Sequence, residues 1–154
     1  MLQTPNFARR RSSPLQEALD ARDRETIQMV KDAIKTQNVL LAFQPIVSAA
    51  HPERPAFYEG LMRVLDQTGR VIPAADFIDA IETTEIGREI DRLALKFGLD
   101  TLAQVPGLRL SVNMSARSIN NKAWMQTLER GLNAAPTVGE RLILEITESS
   151  TMDM

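Results

Sequence analysis

Residues 108–147 read LRLSVNMSARSINNKAWMQTLERGLNAAPTVGERLILEIT, and the order of elements in the chain follows from them. Leu108 to Val112 alternates aliphatic and polar side chains with the period of two that a strand requires, and Leu142 to Thr147, rich in branched aliphatic residues, reads as another strand. Between them Ala116 to Leu132 has helical spacing, and Pro136 to Gly139 is a loop. A strand, a helix and a strand in succession imply parallel neighbours joined by a helical crossover.

The same logic extends upstream. Pro106-Gly107 stops a helix that shows Ile90, Leu93, Ala94 and Phe97, and Pro73 opens an earlier helix with Phe77, Ile78 and Ile81, broken near Gly87. Ala56 to Leu65 is a strand ending in the turn Asp66-Gln67-Thr68-Gly69, and Val39 to Val47 is another, rich in branched and aromatic residues. Ser48 to Pro55 reads as a connecting loop. It holds His51, whose sequence neighbours offer no partner, so the ring is expected to be solvated. Ser13-Pro14-Leu15-Gln16 places a capping hydroxyl before a Pro at the first helical position. The polar stretch Asp20 to Thr26 leaves one helix or two open. Residues 1–12, with Arg9, Arg10 and Arg11, read as a disordered basic tail.

Composition narrows the function classes. The 154 residues are 44% hydrophobic, with 18 Lys and Arg against 20 Asp and Glu. A net charge of -2 provides no global positive field for a nucleic-acid polymer. Zero Cys excludes disulfides, thiolate zinc sites and thiol chemistry, and fits a reducing compartment. No apolar run approaches the roughly 20 residues of a membrane span, and Met1 to Arg11 lacks the apolar core of a signal sequence. A cytoplasmic location is the expectation.

Three strands carry polar residues where an inward row should be apolar. Asn113 ends one row after Leu108 to Val112, Glu145 lies with Ile143 and Thr147, and Glu59 shares a row with Leu61 and Arg63. A carboxylate in an apolar strand is costly unless paired or bound to a metal. Glu59, Asn113 and Glu145 offer only hard oxygen donors, which suit Mg2+ or Mn2+. Ion pairs of Glu59 with Arg63, and of Glu145 with Arg141 or Arg109, explain the same residues, and the pattern leaves both accounts open. Trp124 and Met125 read as packing, Lys122 and Arg117 as solvated, and Ser115 as a helix cap.

Six blocks in order then resemble the EAL family of cyclic di-GMP phosphodiesterases. They are Phe43-Gln44-Pro45-Ile46-Val47, Tyr58-Glu59-Gly60-Leu61-Met62-Arg63, Pro73 with Asp76-Phe77-Ile78, Glu89-Ile90-Asp91, Ser111-Val112-Asn113-Met114-Ser115-Ala116, and Glu145-Ile146-Thr147-Glu148-Ser149. The resemblance covers about residues 37 to 150. It implies an α/β fold of the TIM type whose first strand departs from the parallel pattern, with metal-dependent hydrolysis of cyclic di-GMP to linear pGpG. By motif, Glu59, Asn113 and Glu145 match metal ligands for Mg2+ or Mn2+. Gln44 and Arg63 match positions that contact the dinucleotide, and Glu148 matches a carboxylate that steadies a neighbouring loop.

Two departures from the family pattern stand out. Gly60 replaces the usual Ala of the signature triplet, which keeps the glutamate but weakens the strand. A complete barrel needs about 250 residues, so the expectation is a truncated TIM-type (β/α) barrel: four strands with crossover helices in residues 37–154, preceded by a helical segment at 13–36. The family's later Asp pair, catalytic Lys and further ligands are not in the sequence. The isolated chain is therefore expected to be an inactive part of a phosphodiesterase. The alternative is a non-catalytic module that binds cyclic di-GMP or dimerises, and the bland one is an α/β interaction domain. Open sheet edges would invite a second copy or a complementary C-terminal half.

Overall fold

The first helix starts as its residues dictate. Ser13 has extended backbone, its hydroxyl accepts the Gln16 N–H at 3.2 Å, and Pro14 opens the helix. The computed structural model describes residues 13–147; the basic tail at 1–12 and Glu148 lie outside them. Helix α1 (Pro14–Lys35) is a single helix through the polar stretch. Side-chain bonds one turn apart support it there, from Gln16 to Asp20 and from Gln28 to Asp32, each 2.9 Å. Only its second half meets the core, where Val30 and Ala33 are buried, whereas Leu15 is 70% exposed.

The sheet contains β1 (Val39–Ser48), β2 (His51–Leu65), β3 (Val71–Pro73), β4 (Leu110–Met114) and β5 (Leu142–Ile146). The order is β1-β2-β4-β5, with β3 also on β2. β1 and β2 form an antiparallel hairpin, while β2 with β4 and β4 with β5 are parallel. The irregular first strand is therefore antiparallel to its neighbour. The expected loop from Ser48 to Pro55 is instead mostly strand, because β2 begins at His51. Pro52 and Pro55 are tolerated because β4 joins β2 only from Tyr58 onward and the β1 register slips at Val47. His51 has a neighbour after all: Glu53 Oε1 lies 3.6 Å away, with both side chains exposed.

β3 is a fifth strand absent from the sequence reading, since three residues carry too little periodicity to read. The Asp66 turn aims it back onto β2. One Asp66 oxygen accepts from the Thr68 N–H, the Thr68 hydroxyl and the Arg70 N–H at 2.9, 2.6 and 3.0 Å, and Gly69 takes φ +80°.

After a 3-10 turn at Ala74–Asp76 come α2 (Ile78–Ile81) and α3 (Glu85–Gln104). The break between them falls at Glu82–Thr84, so Gly87 lies inside α3 rather than at the break. The helix expected from Ala116 is also divided. A 3-10 turn at Ala116–Ser118 precedes α4 (Lys122–Ala134), which Asn121 caps by accepting the Trp124 N–H at 3.0 Å. Residues 136–140 make a further 3-10 turn.

Leu95, Leu99 and Leu102 of α3 pack with Leu110 and Val112 of β4 in one buried cluster that includes Phe77, Ile81 and Val64. Arg141 ties the far end together, donating to the carbonyls of Leu102, Val105 and Leu108 at 2.8, 3.1 and 3.0 Å. The Leu102 carbonyl belongs to the last turn of α3, and those of Val105 and Leu108 to the connection into β4. Among the described residues no helix is long and apolar enough to cross a membrane.

Candidate functional site

Cross-strand partners in a ladder project from the same face of a sheet. Gln44 of β1 is opposite Glu59 of β2, Glu59 is opposite Ser111 of β4, and Asn113 of β4 is opposite Glu145 of β5. Gln44, Glu59, Asn113 and Glu145 therefore stand on one face of four adjacent strands. Asn113 Nδ2 donates to Glu59 Oε1 at 2.8 Å across 54 residues of chain. An amide whose nitrogen is committed to one carboxylate turns its carbonyl oxygen elsewhere, so the contact orients Asn113 as an acceptor.

Arg63 stands two residues beyond Gly60's neighbour Leu61 on the same strand, and its Nη1 donates to the Met62 carbonyl at 3.0 Å. It does not pair with Glu59. Among the described residues neither Glu59 nor Glu145 has a Lys, Arg or His within ion-pair distance. Arg141, one expected partner of Glu145, spends its guanidinium on carbonyls at and beyond the end of α3 instead. Trp124 is buried as expected of packing, but Met125 is 46% exposed. Its position follows from helical geometry: it is the next residue along α4 and points away from the core. Lys122 and Arg117 are exposed, and the Ser115 hydroxyl caps the 3-10 turn by accepting the Arg117 N–H at 3.2 Å.

A cavity of about 250 Å3 opens beside this row, between the carboxyl ends of the parallel strands and α3. Met62, Ile90, Asp91, Asn113 and Thr147 contribute to its wall. Asp91 carries no role in the strand pattern or the motif assignments. Its signal was an acidic residue between Ile90 and Ala94 on the buried face of α3. Asp91 Oδ2 accepts the Ser115 N–H at 2.9 Å and the Ser118 hydroxyl at 2.6 Å. Burial raises its pKa above the usual carboxylate value, opposed by the bonds from Ser118 and Ser115 and by the nearby Arg88 charge. Arg88 itself donates to the Glu82 carbonyl.

That shift has a sign for stability. A carboxyl whose folded pKa lies above its unfolded one binds its proton more tightly when folded. Its contribution is most favourable below the unfolded value, near 3.8, and declines as pH rises through the folded value. Asp91→Asn is expected to flatten the stability profile over that interval. Urea midpoints of both proteins across the acid range measure it, and parallel profiles would refute it.

Two carboxylates and one amide oxygen on one face are the donor types a hard divalent cation takes, and they fill part of an octahedral shell. Among the described residues no group of three or more His, Cys, Asp or Glu side chains could hold a metal ion, so the amide is needed as the third donor.

A family model described as EAL domain matches residues 27–154. The chain is 27% identical over 140 residues to the signaling protein YkoW of Bacillus subtilis, covering 85% of this chain and 17% of that protein. It is 24% identical over 127 residues to the cyclic di-GMP phosphodiesterase PdeB of Shewanella oneidensis, covering 80% of this chain and 15% of the relative. In structure it superposes on the FimX EAL domain from Pseudomonas aeruginosa bound to c-di-GMP, with TM-score 0.68 and 28% identity over 82% of this chain and 51% of that one. The chain thus spans about half of the solved domain and under a fifth of these curated relatives. Its sheet and helices make up about half of a TIM-type barrel.

Proposed function

The chain belongs to the EAL domain family, and from that premise we propose that its strand face forms one part of a site for hydrolysis of cyclic di-GMP to linear pGpG. Glu59, Asn113 and Glu145 hold Mg2+ or Mn2+, while Gln44 and Arg63 contact the dinucleotide. The observation that carries this is the 2.8 Å bond from Asn113 to Glu59, with Glu145 opposite Asn113 on the next strand.

When bound, the cation supplies acidity to a coordinated water and neutralises charge on the attacked phosphate. This chain's residues do the rest by placement. Arg63 offers two parallel donors for a phosphate oxygen, and Gln44 reaches the same face from the antiparallel strand. We place residues 37–154 in the partial EAL domain, 13–36 in a preceding helical segment, and the protein in the cytoplasm.

A second reading follows from the donor set itself: with both carboxylates committed to the cation, Glu59, Asn113 and Glu145 leave no free side-chain base among them to take a proton from water. On that account the 154-residue polypeptide binds cyclic di-GMP without hydrolysing it, and completes its sheet with a second copy or a complementary half. Calorimetry with cyclic di-GMP and Mn2+ tests both. The expected result is saturable binding weakened at least about tenfold by Glu59→Ala or Arg63→Ala, with no turnover. Absence of heat at high micromolar nucleotide would remove both readings for this polypeptide. Metal-dependent turnover abolished by Glu59→Ala would remove the second alone.

A further inference from the structure

Asn113 is the pivot of the proposed site, yet the strand that carries it ends one residue later, at Met114. Strand ends fray unless something holds the backbone that follows. Here that backbone is held from the helix side. The Ser115 N–H and the Ser118 hydroxyl both converge on one oxygen of Asp91, at 2.9 and 2.6 Å. Ser115 and Ser118 bracket the 3-10 turn that leads the chain away from β4, and both are buried.

We propose that Asp91 is a positioning residue: by clamping the turn at Ser115 and Ser118 it holds the end of β4 so that the Asn113 amide stays aimed at Glu59. The inference rests on the site reading above, because it gives Asn113 its task. Asp91 is 7% exposed on an α3 face that also buries Arg88, Ile90, Ala94 and Leu95. An aliphatic residue there would avoid the desolvation of a carboxylate, which raises its pKa despite Arg88 nearby. Placing the acid there gains a bidirectional hold: Asn113 is pinned on the sheet face by Glu59, and the chain just beyond it is pinned on the helix face by Asp91. The Glu59 bond sets the direction of the amide, and the Asp91 bonds hold the backbone from which it projects.

The test uses the whole 154-residue chain, with Mn2+ binding followed by water-proton relaxation and the Asn113 side-chain amide followed by nitrogen-15 NMR. Glu59→Ala is expected to remove saturable binding. Asp91→Ala should weaken Mn2+ binding about tenfold and shift the Asn113 amide resonances. Asp91→Asn keeps an acceptor oxygen for Ser115 and should recover most of that affinity, which a general loss of packing would not predict. Asp91→Ala that keeps its circular dichroism, binds Mn2+ within twofold of wild type and leaves the Asn113 resonances unmoved overturns the proposal. Should Asp91→Ala fail to fold, Ser118→Ala removes the shorter bond without stranding a charge, and unmoved Asn113 resonances in that variant overturn it equally. If Glu59→Ala binds Mn2+ like wild type, the cation reading falls, while the Asn113 resonances still decide whether Asp91 positions the amide.

Discussion

Leu95→Ala is expected to lower the unfolding free energy by about 3–4 kcal/mol. Leu95 is fully buried in the middle of α3, the helix that packs against both β4 and α4. Truncation removes the transfer free energy of its lost carbons and adds a cavity that a helix held on two sides cannot close. Leu99, Leu102, Leu110 and Val112 share its cluster, so the void would open at the contact that fixes the sheet to its helices. For a domain of this size that corresponds to a melting point lower by about 10 °C. Thermal unfolding by circular dichroism measures it, and a fall of only a degree or two would show that α3 is not the core of the fold. Leu15→Ala, on the exposed end of α1, is the control expected to change little.

Gly87→Ala is expected to destabilise the chain by about 2 kcal/mol, although Ala favours a helix by about 1 kcal/mol over Gly. A methyl on Gly87 would sit 2.5 Å from the Ile81 carbonyl oxygen and 3.1 Å from Glu82 Cα. Both are backbone atoms, so no side-chain rotation relieves the contact and α3 must move away from α2. That displacement carries Arg88 and Asp91, in the same first turns of α3, away from their partners at Glu82, Ser115 and Ser118. The variant should therefore lose Mn2+ affinity as well as about 5 °C of melting temperature. A stabilised variant would mean that propensity outweighs the close approach.

The pattern of strands and helices was legible because it is local. Period-two alternation announces β4, a run of branched aliphatic residues announces β5, and Ser13-Pro14 announces α1, since each reflects sterics and hydrogen bonding within a few residues. What escaped was set by partners distant in the chain. β3 is strand only because β2 lies beside it, and Pro52 and Pro55 sit in a strand because the ladder to β4 begins beyond them. Asn121 rather than Ser115 starts α4, because the turn that Ser115 caps ends at Ser118, whose hydroxyl is held by Asp91. The helix break lies at Glu82–Thr84, where the Thr84 hydroxyl returns to the Ile81 carbonyl at 2.7 Å.

For the site, residue chemistry and order were enough to single out Glu59, Asn113 and Glu145 as oxygen donors on separate strands, because an amide and two carboxylates among aliphatic neighbours are conspicuous in any strand. Which atoms meet was a matter of sheet register. The Asn113 to Glu59 bond, the opposition of Asn113 and Glu145, the diversion of Arg141 to the end of α3 and the clamp of Asp91 on two serines all join residues that crossover helices bring together. Periodicity reports which side of an element a residue occupies. The neighbour it meets there depends on how the layers pack, and packing sums many weak contacts over the whole core.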